Sequence, residues 1–231
     1  LFVTRMNHSD GMISWIKRLG GSGDDSISAL KSEGDLIYLA GGVKKTGAEE
    51  YAFVFELDQN GVALNSSSFK GLYGNQIVDL DVGGERIYLL GSFENSIELA
   101  GKTLSSSGSS AFVLSLKSGL TQEWASVLAS QGEPLGVETD ALGFPVFLAR
   151  FKDNSIIAET ALNLISRGQS DLLLAKLSKD DGSLLWHKQL GGGGDENASD
   201  LKTDFHGKVL TLVHADQSFS ADGLASGEGE L

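Results

Sequence analysis

Two acidic pairs, Asp24-Asp25 and Asp195-Glu196, each close a glycine-rich run, Gly20-Gly21-Ser22-Gly23 and Gly191-Gly192-Gly193-Gly194. Carboxylates set among freely placed backbone carbonyls are the oxygen donors that calcium takes, so Asp24, Asp25, Asp195 and Glu196 are the candidate metal ligands. No D-x-D-x-D-G arrangement accompanies them, and the competing use is local: the acids close turns by accepting backbone N–H groups. The glycines resemble phosphate cradles only superficially, because no Lys-Ser or Lys-Thr follows and no helix begins there. His8, His187, His206 and His214 fall at unrelated places and never at the i, i+4 spacing of metal ligands. No serine sits in a Gly-x-Ser-x-Gly elbow. Zero cysteines exclude disulfides, thiolate metal sites and a Cys nucleophile together. Carboxylates drawn from distant segments, as glycosidases use them, stay open, since sequence spacing is silent on that geometry. Asn7-His8-Ser9, Asn65-Ser66-Ser67 and Asn197-Ala198-Ser199 are N-glycosylation sequons in predicted turns or outer strands, where a glycan can be accommodated on a secreted chain.

The elements that carry these residues repeat. Ser14-Trp15 followed by Leu19-Gly20-Gly21 returns as Leu185-Trp186 followed by Leu190-Gly191-Gly192. Phe2-Val3-Thr4, Phe53-Val54-Phe55, Phe112-Val113-Leu114 and Leu172-Leu173-Leu174 start 51, 59 and 60 residues apart. Trp15, Leu64, Trp124 and Trp186 form a second landmark, and Ile37-Tyr38, Ile87-Tyr88, Val146-Phe147 and Leu210-Thr211 a third. The units lie at about 1–50, 51–110, 111–170 and 171–231, within the lengths of propeller blades. Val78-Asp79-Leu80-Asp81-Val82 alternates with period two, which predicts a strand with Asp79 and Asp81 facing away from the core side. Gly34, Gly84, Gly143 and Gly207 mark turns between first and second strands, and Asp10-Gly11, Asn60-Gly61 and Asp181-Gly182 mark hairpins between third and fourth. Ser105 to Ser110 reads as a flexible inter-blade connection. The expected fold is an all-β propeller of four-stranded antiparallel blades, with Trp15, Leu64, Trp124 and Trp186 packing blade on blade.

Composition sets outer limits. At 231 residues and 41% hydrophobic the chain buries a sizeable core as one all-β domain, and 30 glycines against two prolines suit many tight turns. A net charge of −13 opposes nucleic acid and anionic lipid surfaces as partners. No apolar run approaches the length of a membrane-spanning helix. The start inside a strand-like run points to a processed chain or part of a longer one. Ring closure within the chain would pair Phe2 to Met6 and Met12 to Leu19 with Val209 to Val213; otherwise the chain is a segment of a propeller of six to eight blades, the expectation favoured at this point.

The run from Asp171 to Leu177, then Asp181-Gly182-Ser183-Leu184-Leu185-Trp186, then Leu190-Gly191-Gly192-Gly193-Gly194-Asp195-Glu196, resembles the bacterial-type β-propeller repeat called SBBP. The stretch from Asp10 to Asp25 is similar, while the middle units, with Phe69-Lys70-Gly71 and Leu128-Ala129-Ser130, match more loosely. The resemblance implies a propeller found mostly in secreted or cell-surface proteins, often without assigned activity. No cofactor other than the candidate calcium is expected. Asp181-Gly182-Ser183-Leu184-Leu185-Trp186 is also similar to the tryptophan-docking repeat of quinoprotein propellers, whose adjacent-Cys disulfide this chain lacks. The expected function is a non-enzymatic extracellular module binding protein partners, neighbouring copies in an assembly, or glycan. A propeller enzyme acting on polysaccharide and a periplasmic quinoprotein-like scaffold are the alternatives.

Overall fold

Among the described residues every regular element is a strand, and every ladder between strands is antiparallel. The structure, a computed structural model, describes residues 1–20, 24–44, 51–70, 76–157, 160, 162–217, 219–221 and 224–225. It opens with a hairpin of β1 (Phe2–Met6) and β2 (Ile13–Arg18). The first sheet follows as a meander of β3 (Asp24–Glu33), β4 (Leu36–Lys44), β5 (Tyr51–Asp58) and β6 (Ala63–Lys70). The second contains β7 (Gln76–Gly83) and β8 (Arg86–Phe93), then a side hairpin of β9 (Ser96–Leu99) and β10 (Lys102–Ser105), then β11 (Ser110–Lys117) and β12 (Thr121–Ala129). The third repeats that plan with β13 (Gly132–Thr139), β14 (Pro145–Phe151), the side hairpin of β15 (Asn154–Ile156) and β16 (Asn163–Ile165), β17 (Asp171–Leu177) and β18 (Leu184–Gly192). A last pair, β19 (Glu196–Thr203) and β20 (Val209–Ala215), is followed by β21 (Phe219–Ala221) and β22 (Leu224–Ala225), which extend the third sheet beyond β18.

Register shows the repeat more sharply than composition does. The first strand of each unit carries a bulge at one equivalent place: Ile27/Ala29, Ile77/Asp79, Pro134/Gly136 and Ala198/Asp200. The third strand carries another near its end, at Glu56/Leu57, Ser115/Leu116, Lys176/Leu177 and Arg5/Met6. A bulge adds a residue and changes which face the following side chains occupy, so repeating it at fixed sites repeats the whole facing pattern. In this register Ile37 and Ile87 correspond to Pro145 and Val209, since Ile37 pairs with Leu57, Ile87 with Leu116, and Pro145 stands opposite the Leu177 end of β17. The landmark drawn through Val146 and Leu210 is therefore one residue late in the last two units. The sheets also straddle the repeat boundaries read from sequence, because each is assembled from strands on both sides of one.

The apolar faces are buried against neighbouring sheets. Tyr38, Ala40, Ala52 and Val54 from the first sheet meet Ile87, Leu89, Phe93, Phe112 and Leu114 from the second. Tyr88, Leu90, Ala111 and Val113 on the second sheet's other face meet Phe147, Ala149, Phe151 and Leu173 of the third. Leu148, Leu172 and Leu174 then meet Leu201, Val209 and Val213 of the last pair, and Val3 with Trp15 covers Leu39 and Leu57 at the other end. Central strands buried on both faces have no polar side to show, which is why Ile87-Tyr88-Leu89-Leu90 is continuously apolar. The first strands form the tight seam, β3 against β7, β7 against β13 and β13 against β19, whereas the fourth strands β6, β12 and β18 share no such seam. The units are thus wedges, close at their first strands and splayed at their fourth.

The segment from Ser105 to Ser110 differs from expectation. It joins β10 to β11 inside the second sheet and is pinned by a bond from the Ser106 N–H to the Asn95 carbonyl and by the contact of the Ser106 and Ser110 hydroxyls. It is therefore no inter-blade connection. Pairing of β20 with β1 is also absent: among the described residues β1 pairs with β2 alone, β20 with β19 alone, and β19 forms no seam with β3.

Candidate functional site

Chemistry-bearing side chains gather at the joints between units. At the first of these joints a tryptophan on a fourth strand reaches the next unit's hairpin turn. Trp15 on β2 donates its indole N–H to the Gln59 carbonyl at 2.8 Å, and Trp124 on β12 donates to the Lys179 carbonyl at 2.9 Å. Both acceptors lie two residues past the bulged leucine of the third strand, Leu57 or Leu177. Under each ring sits a turn glycine in the left-handed region, Gly61 (φ 71°) or Gly182 (φ 74°). A Cβ on Gly182 would stand 2.5 Å from Trp124 Cε3, so the glycine is required twice, by its backbone and by the ring above it.

The first sheet uses different atoms for its joint with the second. Register puts Asn65 opposite Glu56, as Trp15 stands opposite Arg5 and Trp124 opposite Ser115. The residue at the tryptophan position is therefore Asn65, and Leu64 points the other way and is 49% exposed, which corrects its assignment to blade packing. Buried Glu56 accepts from Asn65 Nδ2 at 2.9 Å and from the Gly119 N–H at 3.0 Å, so a carboxylate replaces the indole as the clasp on the next turn. Sequence spacing missed Glu56 because an acid inside an apolar strand carries no motif.

At the seam of first strands lies a buried charged ladder. Asp81 on β7 accepts from the Thr139 N–H at 2.7 Å and its hydroxyl at 2.8 Å, and pairs with Lys31 of β3 at 2.5 Å. Asp79 accepts the Val137 N–H at 3.0 Å. Lys202 of β19 meets Glu138 of β13, and the Thr203 hydroxyl donates to the Thr139 carbonyl at 2.6 Å. Burial pushes the Asp79 carboxyl above its ordinary range despite the N–H groups of Val137 and Leu80 that favour its charged form. The alternation had placed Asp79 and Asp81 opposite the core side of Leu80. They are, but that opposite face meets the next unit and not solvent.

The acidic pairs of the glycine-rich runs are not brought together. Asp25 lies on β3, and the Asp24 side chain falls outside the described residues. Asp195 accepts from the Ser170 hydroxyl and lies 3.6 Å from Arg150, and the Ser170 bond holds its carboxyl below the usual range. Glu196 is fully buried and accepts the Gly192 N–H at 3.1 Å. Burial raises its carboxyl above the usual range, with Asp171 and Asp195 adding to the effect. Beside it Asp171 accepts from the Arg167 N–H and from Gln189 Nε2. Asp195, Glu196 and Asp171 accept from N–H and O–H donors within and between segments, and among the described residues no group of three His, Asp or Glu side chains is placed to hold a metal ion.

The remaining candidates are surface features. Asn7 and Asn197 are exposed in the turn after β1 and on β19, while Asn65 is exposed on β6 with its amide nitrogen committed to Glu56. Trp186 is half-buried against the last strand pair, and among the described residues no turn receives its indole as Gln59 and Lys179 receive the others. The side hairpins β9–β10 and β15–β16, which seal the apolar edge with Ile97, Leu99, Leu104 and Leu164, were not read from the sequence. No protein-family model matches the chain, and no curated protein matches it.

Proposed function

We propose that the chain is a non-enzymatic β-propeller module, built of SBBP-type repeats and belonging to an extracellular or surface-assembled protein, that offers loop faces and blade edges to protein or glycan partners. The observation that carries this reading is the joint between units. An indole-on-turn clasp occurs at two of them and a Glu56 carboxylate clasp at a third, while the bulges keep one register throughout. The acids that look chemical in sequence are engaged by N–H, hydroxyl or ammonium groups that join strands or units. Wedge-shaped units, tight at their first strands and open at their fourth, support stacking about an axis over stacking in a line.

Two measurements test it. Negative-stain images should show a disc, and a straight rod would remove the propeller. A hydrolysis screen on polysaccharides should give no turnover with either the unchanged chain or Asp195→Ala/Glu196→Ala; turnover that the double variant loses would make the chain a carbohydrate-active enzyme instead.

A further inference from the structure

The joint between the first and second sheets leaves open a space that the joint between the second and third closes. In the closed joint the Tyr88 hydroxyl donates to the Gly143 carbonyl at 3.0 Å, and the facing turns touch, since a Cβ on Gly143 would stand 2.9 Å from the Gly84 Cα. Arg86 of the second sheet crosses that joint to Asp180 at 3.3 Å, while its Nε donates to Glu123 at 2.7 Å. In the open joint a cleft of about 590 Å³ is lined by Leu36 and Tyr38 of the first sheet and by Val82, Glu85, Ile87 and Ser118 of the second. We infer that this cleft takes an arginine side chain of a protein partner. The inference rests on the reading of the chain as an interaction module and names the chemistry that one of its sites binds.

Two differences in sequence open it. Leu36 pairs with Asp58 as Arg86 pairs with Lys117, each partner lying one residue past a bulged leucine, so Leu36 holds the place of the arginine. The facing turn is also shorter. β13 and β14 are joined through Ala141-Leu142-Gly143, closed by a bond from the Asp140 N–H to the Phe144 carbonyl. β7 and β8 are joined by Gly84-Glu85 alone, at φ of 59° and 66°, between the paired Gly83 and Arg86. A Cβ on Gly34, the counterpart of Gly84 in the first sheet, accordingly meets nothing within 4 Å. Tyr38, the counterpart of Tyr88, turns its hydroxyl to Glu56 and Ser118 instead of a turn carbonyl. Burial and the charges of Glu56 and Glu33 push that hydroxyl up to about 12, so it stays a neutral phenol.

The lining selects the occupant. Its two cations are engaged already, Lys117 by Glu123 at 2.7 Å and Arg86 by Glu123 and Asp180. Its two exposed carboxylates, Glu33 and Glu85, have no donor among the described residues. Nor has the Ser118 carbonyl, although by register it stands where the Gln59 and Lys179 carbonyls accept indoles. Leu36, Val82 and Ile87 add an apolar wall. An alkyl stem that ends in a planar cation with N–H donors on several sides matches this set, because the stem covers the wall and the guanidinium serves carboxylate and carbonyl alike. An ammonium brings the charge with a narrower spread of donors, and an uncharged ring leaves both carboxylates unpaired. The net charge of −13 draws a basic segment toward the surface from a distance. Arg86, one joint further on, is the chain's own instance of such an occupant.

Titration of N-acetyl-arginine amide into the chain, followed by nuclear magnetic resonance, tests the inference, with the lysine and citrulline amides as controls. The arginine probe should saturate in the millimolar range and move the amide signals of Glu85, Ser118 and Gly119. The lysine amide should bind roughly fivefold more weakly, and the citrulline amide, of the same shape without the charge, should not saturate. Glu33→Gln/Glu85→Gln, both on exposed turns, should weaken the arginine probe about tenfold. Leu36→Arg should abolish its binding with the melting temperature kept, because a guanidinium of the chain then fills the cleft as Arg86 fills the next. Signals that move over the whole acidic surface, with the double glutamine variant binding as tightly as the unchanged chain, would overturn the inference. Lysine or citrulline amide binding as tightly as arginine, or no saturable shift with any probe, would overturn it as well. Each of those failures leaves the module reading to its own tests, the disc and the missing hydrolysis, which do not involve this cleft.

Discussion

Gly11, Gly61 and Gly182 occupy one turn position with φ of 70°, 71° and 74°, and they differ in what lies above them, so alanine at each separates backbone strain from the clasp. The left-handed conformation costs a non-glycine residue about 1–2 kcal/mol, and that contribution is common to all three. At Gly11 nothing lies within 4 Å of the added methyl, which leaves the backbone cost alone. At Gly61 the methyl meets Trp15 ring carbons at 3.0 Å and Lys17 Cγ at 2.8 Å, and the lysine stem moves easily. At Gly182 it meets Trp124 Cε3 at 2.5 Å, and the ring is 7% exposed and bonded to Lys179, so relief requires displacing a packed indole. Overpacking of that kind costs about 1–3 kcal/mol, and a weakened indole bond about 0.5–1.5 kcal/mol more. The order of stability loss is therefore Gly182→Ala, about 2.5–6.5 kcal/mol, then Gly61→Ala, then Gly11→Ala at about 1–2 kcal/mol. Urea unfolding reads it, with the slope m required to stay constant. Equal losses at Gly11 and Gly182 would refute the clasp as an energetic element and reduce it to mere proximity.

Three further outcomes follow from the joints. Glu56→Ala should cost about 2 kcal/mol in urea unfolding, since the Gly119 N–H loses its acceptor inside the structure, and Glu56→Gln should recover part of it by keeping one oxygen. Asp81→Ala should cost about 3–5 kcal/mol, because it strips Thr139 of two bonds and Lys31 of its partner; a loss below 1 kcal/mol would mean the seam is not closed in solution. The Asp79 carboxyl is raised in the fold above its unfolded value of 3.8, so the folded state favours its protonated form. That contribution is complete below the unfolded value and is lost as pH rises through the raised one. Asp79→Asn should thus gain melting temperature relative to the unchanged chain at pH 7, and the gain should shrink as pH falls to 4 and below; a difference independent of pH would refute the assignment.

The joints were legible in sequence where a large residue marks them and illegible where a carboxylate does. Trp15 and Trp124 announced themselves by recurrence, and the Asn-Gly and Asp-Gly turns by the conformation those pairs permit. Glu56 and Asn65 hold the same place with no shared letter, so alignment by side-chain size slid onto the neighbouring Leu64. The slip at Val146 has a similar origin: the turn ahead of Pro145 differs in length, and only the hydrogen-bond ladder fixes which face Phe147 takes. Alternation placed Asp79 and Asp81 on the correct face, and failed on what lies beyond that face, because period two tells two sides apart without saying whether the second meets water. In a stack of sheets the second side meets another sheet. The acids there survive burial through the Val137 and Thr139 N–H groups and the Lys31 ammonium, all supplied by neighbouring units. A polar residue inside such a stack therefore depends on the unit beside it for its partners. The last pair shows the same dependence: Lys202 of β19 reaches Glu138 of the neighbouring unit, beside the apolar contact that Leu201, Val209 and Val213 make with the third sheet.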